Sequence, residues 1–164
     1  MPAILNFPHR AGPKPRTTPT NPHQQVDQTA PVPMQEALFA RARALPGVIT
    51  QPSQISVKGA RGFWLPKNLA GGPPEAFMIG HEFAHLHPAY DGSLHMMLPL
   101  DIVEEIVTKG WGEQHPAVRR GAMPANTVMI FGPRDEGELE IVWQIVQQSY
   151  AFATRQESSR GRTA

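Results

Sequence analysis

Apolar residues recur at helical spacing in three stretches of the chain, with polar residues at the positions between them. The first two stretches predict helices over residues 34–45 and 101–109. The third stretch follows Asp135, whose spacing to Glu138 is that of a capping box, and its apolar stripe extends to Phe152. This pattern predicts the longest helix of the fold.

Other stretches have the shorter period, or the continuous apolar run, that is typical of strands. Residues 53–59 and 61–66 predict a hairpin that turns near Gly59, because apolar and polar residues alternate there. Residues 127–131 predict a strand that is covered on both faces and lies near the centre of the sheet. Together the elements predict an α+β fold, with an antiparallel or mixed sheet of four to five strands and helices packed mainly on one face.

The length of 164 residues leaves room for one domain between two tails. Eight of the 18 prolines lie within residues 1–33, where large apolar side chains are few. We therefore predict a proline-rich flexible arm over residues 1–32, an α+β domain over residues 33–154 and a disordered tail over residues 155–164. The alternative for the arm is an extended segment that wraps across the domain.

The charged residues are nearly balanced, with 15 Lys and Arg against 14 Asp and Glu, and the basic residues are scattered along the chain. This pattern argues against a nucleic-acid partner. The chain has no cysteine, which excludes disulfides, a thiolate nucleophile and sulfur ligands for a metal. Because the sequence has neither a signal-peptide pattern nor an apolar run long enough for a membrane helix, we expect a cytoplasmic protein with no membrane partner. We also expect a small-molecule substrate, and the sequence leaves the oligomeric state undefined.

Four of the seven histidines lie in the segment HEFAHLHPAYDGSLH, residues 81–95, and two structures fit this segment. In a helix, His81, Glu82 and His85 form an HExxH motif, in which the two imidazoles bind zinc and the carboxylate activates a water molecule. This interpretation predicts a zinc metallohydrolase, and it requires a third ligand from elsewhere in the chain.

In the other structure the segment is a hairpin that turns at Asp91 and Gly92, and we favour this interpretation. Alternation then places three residues on each face: Phe83, His85 and His87 on one, and Glu82, Ala84 and Leu86 on the other. If His87 pairs opposite His95, three imidazoles share a face, which suits a metal site of neutral ligands or a pocket that exchanges protons near neutral pH. The simpler alternative is an amphipathic surface whose histidine nitrogens are satisfied.

Three blocks in a fixed order carry a resemblance to a known family. They are EFAHLHPAYDGSLHMMLP, GWGEQHP and VMIFGPRDEGELEIVWQIVQQSYAFA, which begin at residues 82, 110 and 128. From about residue 33 to residue 153 the chain resembles the luciferase-domain proteins, small bacterial and fungal proteins related to the fungal luciferase that oxidises hydroxyhispidin. The resemblance implies a luciferase-like α+β domain and an oxygenase that acts on a small phenolic or pyranone-like enolisable substrate, with molecular oxygen as co-substrate and no metal or flavin.

A cofactor-independent oxygenase needs a base that forms the substrate enolate and groups that stabilise the developing oxyanion. We expect His85, His87 and His95 to supply the base. The residues expected to bind the substrate are Asp91, Ser93, Trp111, His115 and Arg134. Zinc belongs to the HExxH alternative alone, and a third hypothesis is a non-catalytic module that binds a partner through the proline-rich arm.

Overall fold

Six strands form one antiparallel sheet in the computed structural model of the protein, which describes residues 5–156. The strands are β1 (Ile49–Pro52), β2 (Arg61–Trp64), β3 (Glu82–Leu86), β4 (Leu94–Met97), β5 (Gly112–Gln114) and β6 (Thr127–Ile130). Their order across the sheet is β1-β2-β3-β4-β6-β5. The predicted α+β class is confirmed, and the sheet is larger than the four to five strands that we predicted.

Four helices accompany the sheet in the described part of the chain: α1 (Val32–Arg43), α2 (Leu100–Lys109), α3 (Pro116–Arg119) and α4 (Glu136–Thr154). A short 3-10 turn spans Pro74–Ala76. In α4, the longest helix, the Asp135 carboxylate accepts the backbone N–H of Glu138 at 2.8 Å, which confirms the predicted cap. No helix among residues 5–156 is long and apolar enough to cross a bilayer.

Helices α1 and α4 pack on one face of the sheet, where the aromatic core lies. The ring of Phe63 in β2 lies 5.6 Å from that of Phe39 in α1, and the ring of Phe83 in β3 lies 6.1 Å from that of Tyr150 in α4. The hydroxyl of Ser149 donates to the carbonyl oxygen of Phe83 at 3.3 Å. These contacts assign one face of the sheet to the helices and leave the other face for polar side chains.

Two strands lie elsewhere than predicted. Residues 53–60, where alternation predicted a strand, form the loop between β1 and β2. The hydroxyl oxygen of Ser53 accepts the backbone N–H groups of Ile55 and Ser56, and this local turn replaces strand pairing. All four residues of β6 are buried, as expected, but the strand lies second from the edge of the sheet because β5 pairs on its outer side.

Residues 5–31 are packed against the domain, which differs from the flexible arm that composition predicts. Phe7 is 2% exposed within the core, and the indole N–H of Trp111 donates to the carbonyl oxygen of Pro8 at 2.7 Å. One aromatic anchor and several buried polar contacts thus hold a segment that is otherwise polar. Of the predicted C-terminal tail, residues 157–164 lie outside the described residues.

Candidate active site

A pocket of about 460 Å³ lies against β3, β4 and the loop between β1 and β2. Five of its lining residues are histidines: His23, His85, His87, His95 and His115. Its apolar lining comes from Ile55, Val57, Met78 and Met123. Pockets that bind small organic molecules commonly measure about 300–1,000 Å³, so this one is large enough for a compact aromatic ligand.

A β-bulge determines which side chains of β3 face the pocket. The register of β2 against β3 shifts by one residue between Phe63 and Trp64, which leaves Phe83 without a partner. Glu82 and His85 therefore lie on the same face, whereas Phe83 faces the helices. The predicted alternation, which placed Phe83 with the histidines and Glu82 opposite them, is wrong at these two positions.

Glu82 fixes the orientation of His85. The His85 Nδ1 lies 2.9 Å from Glu82 Oε2 and donates to it, so the neutral ring carries its lone pair on Nε2. Glu82 is fully buried, and it also accepts the Ser53 hydroxyl at 2.8 Å and the Gln54 backbone N–H at 3.1 Å. Burial lowers the pKa of His85, so this imidazole is neutral at neutral pH and able to accept a proton.

Asp91 and Ser93 hold His87 in a similar way from the hairpin turn. The His87 Nδ1 lies 3.1 Å from Asp91 Oδ2 and 2.9 Å from Ser93 Oγ. Asp91 also accepts the backbone N–H groups of Gln25 and Ser93. Burial opposes ionisation of Asp91, but the hydrogen bonds from His87 and Ser93 outweigh it and lower the pKa, so Asp91 is a carboxylate that directs the His87 lone pair to Nε2.

His95 of β4 completes a cluster of three imidazoles on the pocket face. In the strand register it lies opposite His85 rather than His87. Its Nδ1 lies 3.3 Å from His85 Nε2 and 3.0 Å from His87 Nε2, and its Nε2 lies 2.8 Å from Nδ1 of His23. Burial, followed by the charges of the neighbouring histidines, holds the pKa of His95 well below its usual range.

Two further histidines border this cluster. His115 precedes α3, and its Nδ1 accepts the backbone N–H of Ala117 at 3.0 Å, so the neutral ring carries its proton on Nε2. Burial, and then the charges of His23 and Arg120, lower the pKa of His115 to about 4, so at neutral pH it is an uncharged donor. His23 places its Nε2 3.7 Å from Oε1 of Glu113.

Four of the five residues expected to bind the substrate do not line the pocket. Asp91 and Ser93 lie behind the histidine cluster, where their polar atoms are taken up by neighbours. Trp111 is buried in the core. Arg134 is engaged by an ion pair at the start of α4 and by hydrogen bonds to the arm. Of the five, His115 lines the pocket.

The HExxH alternative is contradicted by the structure. The motif needs a helix, but residues 82–86 form strand β3 and His81 lies in the turn before it. The ring of His81 lies 5.4 Å from that of Phe77, outside the histidine cluster. Because His81 and His85 do not share one face of a helix, the residues of the HExxH motif do not assemble as that motif requires.

Sequence reasoning missed His23 and the role of Glu82. His23 comes from the arm, 72 residues before its partner His95, and no local pattern connects the two. Glu82 was assigned to the opposite face because alternation assumes a regular strand, and a single unpaired residue reverses it. A bulge of this kind leaves no clear signal in the sequence of one strand.

Comparison with known proteins covers this same part of the chain. Residues 80–149 match the family model described as the Luciferase domain. This segment, less than half of the chain, is similar to that domain. The predicted resemblance is confirmed there, and the matched segment contains four of the five pocket histidines, whereas His23 lies before it.

The curated relatives are fungal proteins named luciferase. The one from Armillaria mellea is 35% identical over 81 residues, which is 48% of this chain and 30% of the relative. The one from Armillaria gallica is 37% identical over 75 residues, which is 44% of this chain and 28% of the relative. The one from Neonothopanus nambi is 32% identical over 81 residues, which is 48% of this chain and 30% of the relative. The chain thus spans less than a third of the length of these relatives. No solved structure matches it.

Proposed function

We propose that the protein is an oxygen-dependent oxidoreductase that acts on a small phenolic or pyranone-like enolisable molecule. The observation that carries this proposal is the pocket itself, in which imidazoles backed by buried carboxylates face apolar walls. The name of the curated relatives, luciferase, supports the oxidative class of the reaction.

The histidine cluster supplies the base in this proposal. In His85 and His87 the Nδ1 atom donates to a buried carboxylate, so Nε2 is the proton acceptor and the carboxylate stabilises the imidazolium that forms. Removal of the substrate O–H proton gives an enolate, which transfers electrons to O₂ as a carbon–oxygen bond forms. The imidazolium then returns its proton to the distal oxygen of the resulting peroxide anion, which gives a hydroperoxide, so the substrate is oxidised and O₂ is reduced.

His115 is the donor that stabilises the developing negative charge. Its Nε2–H is directed by the bond that Nδ1 accepts from Ala117, and the ring is uncharged at neutral pH. A donor that is held in a fixed orientation within a pocket stabilises an oxyanion more than the same donor in solution. The apolar side chains Ile55, Val57 and Met78 offer packing surface for an aromatic ring.

Oxygen consumption tests this proposal directly. The purified full chain is offered a panel of hydroxylated pyranones and catechols, and O₂ uptake is followed with an electrode. We expect His87→Ala and His95→Ala to lower kcat/KM by about 100-fold or more, the usual contribution of a general base. The matched control is His9→Ala, because His9 is exposed and outside the pocket.

Two outcomes contradict the proposal. If both cluster variants consume O₂ as fast as the wild type, the cluster is not the base. If the wild type consumes no O₂ with any member of the panel, the substrate class is wrong.

A further inference from the structure

Two imidazole lone pairs point at the third ring of the cluster. Glu82 and Asp91 take the Nδ1 protons of His85 and His87, which leaves both lone pairs on Nε2. These two Nε2 atoms face His95 Nδ1 at 3.3 and 3.0 Å. The protonation state of His95 therefore decides whether the centre of the cluster holds a hydrogen bond or an unfilled space between acceptors.

His95 also contacts His23 of the arm. Its Nε2 lies 2.8 Å from His23 Nδ1. The Nε2 of His23 lies 3.7 Å from Oε1 of Glu113, which is too long for a hydrogen bond, and neither of these two atoms has a hydrogen-bond partner among residues 5–156. In the tautomer of His23 with its proton on Nε2, on the side of the Glu113 carboxylate, His23 Nδ1 accepts the Nε2–H of His95. The third lone pair then lies on His95 Nδ1, and three acceptors at these distances repel one another unless a cation lies between them.

We infer that His85, His87 and His95 bind one divalent first-row transition-metal ion through Nε2, Nε2 and Nδ1. One ring nitrogen of each lies within 4.8 Å of the other two. Two nitrogens bound at about 2.0–2.1 Å to a tetrahedral ion are about 3.3 Å apart, which matches the 3.0 and 3.3 Å separations from His95. Neutral imidazole suits zinc, iron, copper and nickel ions.

The surroundings of these rings also fit a metal site. Histidines that bind metals usually donate their other N–H to a carboxylate, which fixes the ring and makes the ligand more basic. Glu82 does this for His85 and Asp91 for His87. All three rings line the pocket, so the remaining coordination positions face the space for a ligand.

A second group of histidines, His23, His95 and His115, also has ring nitrogens within 4.8 Å of one another. It is the weaker candidate because His115 accepts the backbone N–H of Ala117 on Nδ1. The neutral ring of His115 therefore carries its proton on Nε2 and has no lone pair there for a metal. The structure thus favours the set that His85 and His87 share with His95.

The family resemblance implies no metal, and this inference differs from it. A bound ion occupies the Nε2 lone pairs that the proposed function assigns to the base, so metal binding and that base role exclude each other in one molecule. The inference therefore does not rest on the proposed function, and metal binding is measured without substrate or turnover. The protein can therefore bind a metal and consume no O₂, or consume O₂ without a metal, and the two experiments distinguish these cases.

The test uses the untagged full chain, freed of metal with a chelator and titrated with Zn(II) by calorimetry. We expect one ion per chain with a Kd below about 1 μM. Titration with Co(II) provides a second readout, because cobalt bound to a low-coordinate nitrogen site absorbs visible light. His87→Ala and His95→Ala should each weaken Zn(II) binding by about 100-fold, and Asp91→Asn by about 10- to 100-fold.

The controls separate this site from other histidines. His9→Ala and His81→Ala, both outside the cluster, should leave the Kd unchanged. His115→Ala should also leave it unchanged, and a lost site in that variant assigns the metal to the second group instead. The inference is overturned if the wild type has no saturable site tighter than about 10 μM, or if His87→Ala binds like His9→Ala. If a cluster variant does not fold, the stoichiometry and cobalt spectrum of the wild type decide.

Discussion

Replacement of Phe7 by alanine tests whether the arm is part of the folded domain. Phe7 is 2% exposed, and its backbone is held by Glu105, which accepts its N–H at 2.7 Å, and by Lys109, which donates to its carbonyl at 2.9 Å. A buried phenylalanine removes about 150 Å² or more from water, which at about 25 cal/mol per Å² is about 4 kcal/mol. Because measured core substitutions of this kind cost about 3–5 kcal/mol, we expect Phe7→Ala to lower the free energy of unfolding by about 3–4 kcal/mol.

Chemical denaturation followed by tryptophan fluorescence measures this change. The control is Val26→Ala, since Val26 lies in the same arm but is 49% exposed, and its substitution should cost no more than about 0.5 kcal/mol. Trypsin provides a local readout, because cleavage after the exposed Arg16 should be faster in Phe7→Ala. If Phe7→Ala and Val26→Ala have the same stability and the same cleavage rate, the arm is not docked and the reasoning fails.

Other substitutions test single contacts of the fold. Gly112→Ala should strongly destabilise the protein, because its Cβ would overlap the carbonyl oxygen of Met129 in β6. Gly137→Ala, with its nearest contact at 3.4 Å, should stabilise α4 by about 0.5–1 kcal/mol, and equal melting temperatures of these two variants contradict this. Asp135→Ala should cost about 1 kcal/mol by loss of the helix cap, measured by denaturation against Asp135→Asn, which should retain most of the stability. Burial raises the pKa of Glu113, but His23 and other neighbours more than offset this and lower it to about 2. The ionised Glu113 carboxylate therefore stabilises the fold at pH values above its ordinary pKa of 4.5, and this stabilisation is lost as the pH falls towards 2. Glu113→Gln should flatten that part of the profile of stability against pH, and an unchanged profile contradicts the assignment.

The helices could be predicted from the sequence because their signals are local. The cap at Asp135 and the apolar stripe after it lie within one continuous segment, and α4 begins and runs where they indicate. Strand β1 was missed because residues 53–57, which follow it, show the apolar and polar alternation of a strand. In the structure the hydrogen bonds to the Ser53 hydroxyl oxygen form a turn at these residues instead. The periodicity of apolar residues does not show whether a side chain will bind the backbone N–H groups that a strand would otherwise use.

The candidate site could be predicted in part for the same reason. The turn at Asp91 and Gly92 is a local signal, and it brings the strand of His85 beside that of His95. The carboxylate behind His85 depends on a bulge, and the contact of His23 with His95 depends on the course of a distant segment. Both are decided by tertiary packing, so neither follows from spacing along the chain.

The arm connects folding to the chemistry of the pocket. Gln25 is 2% exposed, its backbone N–H donates to Asp91 at 3.2 Å, and its side-chain oxygen accepts the backbone N–H of Gly132 at 3.0 Å. The same segment brings His23 to His95, so the arm contacts the outer side of two of the three clustered imidazoles, one of them through Asp91. The strands place the rings, and the arm supplies a hydrogen bond to Asp91 and a contact to Nε2 of His95. The surroundings of the clustered imidazoles therefore depend on the docked arm as well as on residues 80–149.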